Sequence, residues 1–188
     1  AQAAGVPLRV WSQMNYGEDL VFGPRGGGIY YWDSSAGTGT RATNLALSSG
    51  ASYVPVVQNV LLVSDSTRIV IAYGTNEIDS TTLDPLLIRW SDSEDALSWY
   101  PEITNLAGSY RLSSGSLIYA AMQVRQEILV WTDNALYSQQ FLGAPEVYGF
   151  NILASNISCA GPNCVAVAAG VTYWMGIDKF YKYDGTVS

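Results

Sequence analysis

The 188 residues include no histidine, and that absence removes a good deal of chemistry. Without an imidazole these residues offer no Ser-His-Asp or Cys-His nucleophile pair and lack the commonest zinc ligand. Cysteine is scarce too: Cys159 and Cys164, both within "SCAGPNC". Two thiols are too few for a disulfide framework and do not complete a structural zinc site on their own. A Gly-Pro turn between them can bring the sulfurs close, so a local disulfide stays open at this point. Only 13% of the residues are charged, and the net charge is −7. That sign argues against a surface gripping nucleic acid through its phosphates, while a face that nucleic acid passes without sticking is compatible with it. No stretch reaches the roughly 18 consecutive apolar residues of a membrane span. The opening "AQAAGVPLRV" lacks the basic start and apolar middle of a signal peptide and has no initiator methionine, so the sequence is expected to begin inside a longer chain.

What is present points to strands. Hydrophobic residues make up 48% of the chain, enough for a compact domain of this length to bury about 70% of its unfolded surface. Thirteen Tyr, six Trp and 18 Gly favour β-strands joined by tight turns, and helical periodicity is scarce. Four segments share one internal order, an apolar strand, a turn and a second strand: "GEDLVFGPRGGGIYYWDSS", "STRIVIAYGTNEIDSTTLDPLLIRWSDSED", "RQEILVWTDNALYSQQFLG" and "GVTYWMGIDKFYKYDG". A small apolar strand precedes three of them ("VQNVLLV", "GSLIYAAMQV", "NCVAVAAG"), and outer segments such as "ALSWYPE" and "VYGFNILA" follow. The expected fold is all-β: four-stranded antiparallel blades of a β-propeller, at approximately 1–50, 51–105, 106–155 and 156–188, within one region. A β-sandwich is the competing architecture. The small residues of "AVAAG" suit a crowded strand near a propeller axis, and Trp and Tyr suit the contacts between blades. The fourth unit stops after its third strand. Either the N-terminal "PLRVWSQ" completes it, or the chain is part of a larger ring.

The acids of "LLIRWSDSEDALSWYPE" (86–102) pose the functional question. Ser91 to Asp95 are turn formers that bond their own backbone, and Leu97 and Trp99 are expected to resume a strand. Asp33, Asp133 and Asp184 recur at matching turns, so turn chemistry is the simpler reading. The stretch looks like the Asp-box of sialidase-type propellers in its Ser, Asp and Trp, without the glycine. A paired-carboxylate glycosidase needs two acids about 5–10 Å apart across a pocket, and turn acids beside water lack the environment that raises a catalytic pKa. Asp92, Glu94 and Asp95 offer hard oxygens for calcium, but not at EF-hand spacing. "GPRGGGIYYW" (23–32) leads into a strand with no Lys-Ser or Lys-Thr behind it, and therefore reads as a hairpin, not a phosphate loop. Arg89, between Ile88 and Trp90, is expected either half-buried and paired with an acid of a neighbouring blade, or facing outward.

Taken together, "NYGEDLVF…GGIYYWD", "DPLLIRWSDSEDALSWYPEITNLAGSYRLSSGS", "EILVWTDNALYSQQFLG" and "YWMGIDKFYKYDG" resemble the tail nozzle or tail tubular structural proteins of short-tailed phages (podoviruses). The resemblance runs from about Trp11 to Gly185. It implies a propeller-based virion subunit in a sixfold ring below the portal and adaptor, through which DNA leaves the capsid. It also implies a longer parent chain. Partners would be identical subunits, neighbouring tail adaptor proteins and transiently passing DNA, in the phage tail. No enzyme activity, catalytic residue, cofactor or metal is expected. The alternative is a carbohydrate-binding or glycoside-hydrolysing propeller, with Trp and Tyr as sugar platforms.

Overall fold

The computed structural model describes residues 9–125 and 127–188. Its described residues form an all-β protein of four antiparallel sheets, each made of strands consecutive in the chain. The first holds β1 (Trp11–Tyr16), β2 (Asp19–Pro24), β3 (Tyr30–Trp32) and β4 (Thr43–Asn44). The second holds β5 (Gln58–Val63), β6 (Val70–Asn76), β7 (Leu83–Trp90) and β8 (Gly108–Arg111). The third holds β9 (Ile118–Gln123), β10 (Ile128–Thr132), β11 (Ala135–Gly143) and β12 (Val147–Ser155). The fourth holds β13 (Val165–Ala168), β14 (Val171–Met175) and β15 (Phe180–Tyr183).

The alternation of side chains decides how these sheets meet. Successive residues of a strand point to opposite faces, and in β5 and β6 both sets are apolar. Leu61, Val63, Val70 and Ala72 pack with Val21, Ile29 and Leu45 of the first sheet and its flanking loop. Their neighbours Leu62, Ile71 and Tyr73 pack with Ile118, Ile128, Val130 and Tyr137 of the third. In β10 and β11 the other face, Leu129, Trp131 and Leu136, meets Trp174 and Tyr181 of the fourth. The sheets therefore stack face to face in chain order, and the two central ones are buried on both sides. A two-sheet sandwich has one junction of this kind; here there are three among the described residues.

The first strands lie together: β1 and β2 pack on β5, and β5 packs on β9. The Arg25 guanidinium, reaching from the turn after β2, donates to the carbonyls of Ile118 (3.1 Å), Tyr119 (3.2 Å) and Asn59 (3.3 Å). One side chain of the first sheet thus ties the leading strands of the next two. Gly23 allows the first sheet to approach β5 closely: a Cβ there would lie 2.7 Å from Gln58 Nε2 and 3.1 Å from Leu61 Cδ1. The glycine-rich segment is a hairpin, with Phe22 opposite Tyr30 and Leu20 opposite Trp32.

Three expectations are corrected. "ALSWYPE" is not a strand: the outer strand of the second sheet is β8, beginning at Gly108, where a Cβ would lie 2.6 Å from the Trp90 ring. "PLRVWSQ" does not complete the fourth sheet, because Trp11, Ser12 and Gln13 pair with Pro24, Gly23 and Phe22 of β2; Pro7 and Leu8 lie outside the described residues. β13 is not a crowded strand, since Ala166, Val167 and Ala168 are exposed.

Candidate functional site

The acid-rich stretch is built from the end of β7 outward. The Ser91 hydroxyl accepts the Val70 N–H at 3.0 Å and donates to the Asp92 carbonyl at 2.8 Å. Asp92 Oδ1 accepts the N–H of Ser93 and of Leu106, each at 2.8 Å, and its own N–H donates to the Ser98 carbonyl. Asp95 Oδ1 accepts the Leu97 N–H at 2.9 Å. Glu94 occupies the left-handed region at φ 58°. Beyond the turn, Ser52 N–H donates to Leu97 and Trp99 N–H donates back to Ser52. That parallel bridge lowers the fully buried Trp99 ring between the first two sheets, where its Nε1–H donates to Ala96 at 2.8 Å. The carboxylates thus satisfy backbone donors that the turn would otherwise strand.

The other acids at matching positions work similarly. Asp33 caps a short 3-10 turn by accepting from Ser35 N–H and hydroxyl. Asp133 accepts from the Ser116 N–H and hydroxyl. Desolvation raises its pKa, but the Ser116 bonds together with backbone groups at Leu117 and Asp133 outweigh it and hold the carboxyl below its ordinary value. Asp184 is held low by the Lys182 ammonium at 3.1 Å. Among the described residues no group of three His, Cys, Asp or Glu is arranged to hold a metal ion.

An asparagine offers the same acceptor oxygen as an aspartate, which separates turn chemistry from charge. The triple change Asp92→Asn, Glu94→Gln, Asp95→Asn is expected to shift stability by no more than about 0.5 kcal/mol. Asp92→Ala leaves two backbone N–H groups without their acceptor and is expected to cost about 1–3 kcal/mol. Urea unfolding of both variants measures this. Equal losses for the two would show that charge, not the acceptor geometry, matters at this turn.

Arg89 meets neither expectation. Its side chain is 1% exposed, and it faces carbonyls: Tyr53 at 2.7 Å, Asn76 at 3.2 Å and Trp99 at 3.4 Å. Burial lowers its pKa to about 10, below the ordinary arginine range. It is thereby a structural cation inside the second sheet, joining the loop before β5, the end of β6 and the Trp99 loop.

Two aromatic faces and a groove are open for recognition. The outer face of the first sheet carries an aromatic row, Trp11, Phe22 and Tyr30, with centroids 6.1 and 5.7 Å apart. The outer face of the fourth carries Tyr173, Met175 and Phe180, the last 79% exposed. Between the first two sheets a groove of about 300 Å³ is lined by Tyr16, Tyr31, Leu45, Glu94, Asp95 and Leu97. Burial, then the nearby Asp95 and Glu94 charges, push the Tyr16 phenol up to about 12. Sequence reasoning singled out Arg89 but not its carbonyl partners, and it located neither Arg25 nor the aromatic faces of the terminal sheets. The alternation of Tyr30-Tyr31-Trp32 in β3 and of Tyr173-Trp174-Met175 in β14, and an arginine flanked by apolar strand residues, were the available signals.

A scan against protein-family models finds no match to this chain, and no curated protein matches it. The class defined by the fold is an all-β protein of stacked antiparallel meanders, with no helix among the described residues long and apolar enough to cross a membrane.

Proposed function

We propose that this chain is a virion structural protein: a β-propeller portion of a short-tailed phage tail nozzle or tubular subunit, forming part of the ring through which DNA is ejected. The observation that carries the reading is the stacking of four meander sheets in chain order, with the leading strands of the first three gathered together and each junction filled by apolar side chains. Blades of a propeller are related in this way. The sequence resemblance to the tail proteins supplies the functional half. Exposed aromatics on the first and last sheets suit subunit contacts, and a net charge of −7 suits a conduit that DNA must not grip.

The groove holding Glu94, Asp95, Tyr16 and Tyr31 favours a second reading, a carbohydrate-binding or glycoside-hydrolysing propeller, because acids and aromatic rings converge there. The two part on assembly. Native mass of the full-length protein, alone and with its neighbouring tail component, at low and high salt, is expected to show a sixfold ring. A monomer under every condition, together with glycan binding abolished by Glu94→Gln and Asp95→Asn, would replace the conduit reading by the second.

A further inference from the structure

The connection between the third and fourth sheets, residues 156–164, contains both cysteines, and neither function above uses them. Its path is set by four backbone hydrogen bonds. Ile157 N–H donates to the Asn134 carbonyl (3.3 Å) at the β10–β11 turn, anchoring the segment to the third sheet. Ala160 N–H donates to the Met175 carbonyl (2.9 Å), and Met175 N–H donates to the Cys164 carbonyl (3.0 Å). Cys164 N–H closes the Gly-Pro-Asn turn onto the Gly161 carbonyl (3.3 Å). Residues 160 and 164 are thus both fastened to Met175, which holds the two ends of the loop side by side. Cys159 Sγ lies 3.4 Å from the Gly161 carbonyl oxygen, and both cysteines pack in the apolar cluster at the junction of the third and fourth sheets. Both thiols are free. Cys159 is 2% exposed and packs with Leu129, Trp131 and Trp174, whereas Cys164 is partly exposed.

From this placement we propose that Cys159 and Cys164 form a redox-convertible pair, whose oxidation to a disulfide staples the connection between the third and fourth sheets. The oxidant class is a small disulfide such as oxidised glutathione. The partly exposed Cys164, as thiolate, attacks one glutathione sulfur, forming a mixed disulfide and releasing one glutathione thiolate, which takes up a proton. Cys159 then loses its proton and attacks the Cys164 sulfur, breaking the mixed bond and releasing the second glutathione. The sum is two protein thiols plus one oxidised glutathione giving one protein disulfide plus two reduced glutathiones. The division of roles follows from access, since the buried sulfur is reached only by its neighbour. The neighbouring Cys159 thiol and backbone N–H groups of the loop hold the Cys164 thiol below its ordinary pKa, while the Cys164 sulfur and burial raise Cys159. The pairing stands independently of the conduit reading.

The test incubates the full chain with oxidised glutathione, quenches with acid, denatures, and counts iodoacetamide-reactive thiols by mass. The expected result is a loss of two hydrogens, no alkylated cysteine, a cross-linked Cys159–Cys164 peptide, and reversal by dithiothreitol. Closing so short a loop should raise Tm by roughly 4–8 °C over the reduced chain. Cys159→Ser should accumulate glutathione on Cys164, and Cys164→Ser should remain unmodified. A lasting glutathione adduct on the unsubstituted chain, a disulfide between chains, two thiols still free, or a disulfide that leaves Tm unchanged would each overturn the staple.

Discussion

Replacing Trp131 by alanine is expected to cost about 3–5 kcal/mol of folding free energy, the range found for deleting a buried aromatic from a packed core. The side chain is fully buried at the junction of the third and fourth sheets. It meets the Trp174 ring edge-on at 5.7 Å, and Trp174 in turn stacks on Tyr181 at 5.1 Å. Truncation removes one member of this row and leaves a space that Leu129, Leu136 and Ile157, already fixed by strand pairing or neighbouring backbone bonds, fill incompletely. Among the described residues the indole Nε1–H of Trp131 has no acceptor, so Trp131→Phe deletes no hydrogen bond and should cost well under half as much. Guanidinium unfolding monitored by far-UV circular dichroism measures both changes. A loss below about 1 kcal/mol for the alanine variant would mean that the fourth sheet is not held by this aromatic row.

Arg89→Ala is expected to be comparably severe, at about 3–5 kcal/mol, for a different reason. The guanidinium supplies donors to three carbonyls in the interior of the second sheet, and hydrogen bonds to a charged donor are stronger than neutral ones. Deleting it leaves Tyr53, Asn76 and Trp99 carbonyls short of a donor and opens a cavity beneath the Trp99 loop. Each buried carbonyl left without its donor costs about 1–3 kcal/mol, and the cavity adds to that. Arg89→Met separates the contributions, since it keeps the volume and removes the cost of burying charge. It should therefore be the milder variant, by about 1–2 kcal/mol, while still freeing the loop. Chemical unfolding, with limited proteolysis between Tyr53 and Trp99, reads both effects. Stability unchanged in Arg89→Ala would mean that the carbonyls find other partners and that the arginine does not organise the loop.

The central hairpins were legible because each combines a period-two apolar strand with a turn of known chemistry. Asp133 and Asn134, for example, sit between β10 and β11 with no residue to spare. The "ALSWYPE" segment imitates the same signal, since Leu97 and Trp99 alternate with Ser98. Here the alternation serves a loop, in which Ser52 and Trp99 exchange backbone bonds and a single indole is lowered into the core. Periodicity over three residues does not distinguish those cases. Arg89 was misread because its partners are backbone carbonyls 10, 13 and 36 residues away. A sequence displays acids as partners for a cation, but every residue has a carbonyl, so none stands out. The acids of the turn, by contrast, could be interpreted from type alone, because their acceptors are used within a few residues or on the adjoining loop.

The order of the strands has a consequence for how the molecule comes into being. Every sheet is assembled from strands that follow one another along the chain, and every sheet packs on the one before it. Contacts between segments close in sequence are entropically cheap to form and speed folding. During synthesis the first sheet therefore emerges with all of its own hydrogen-bonding partners, and the second finds an apolar surface already waiting for it. Growth can proceed sheet upon sheet in the direction of translation, and among the described residues no strand of a sheet waits for a partner from a distant segment.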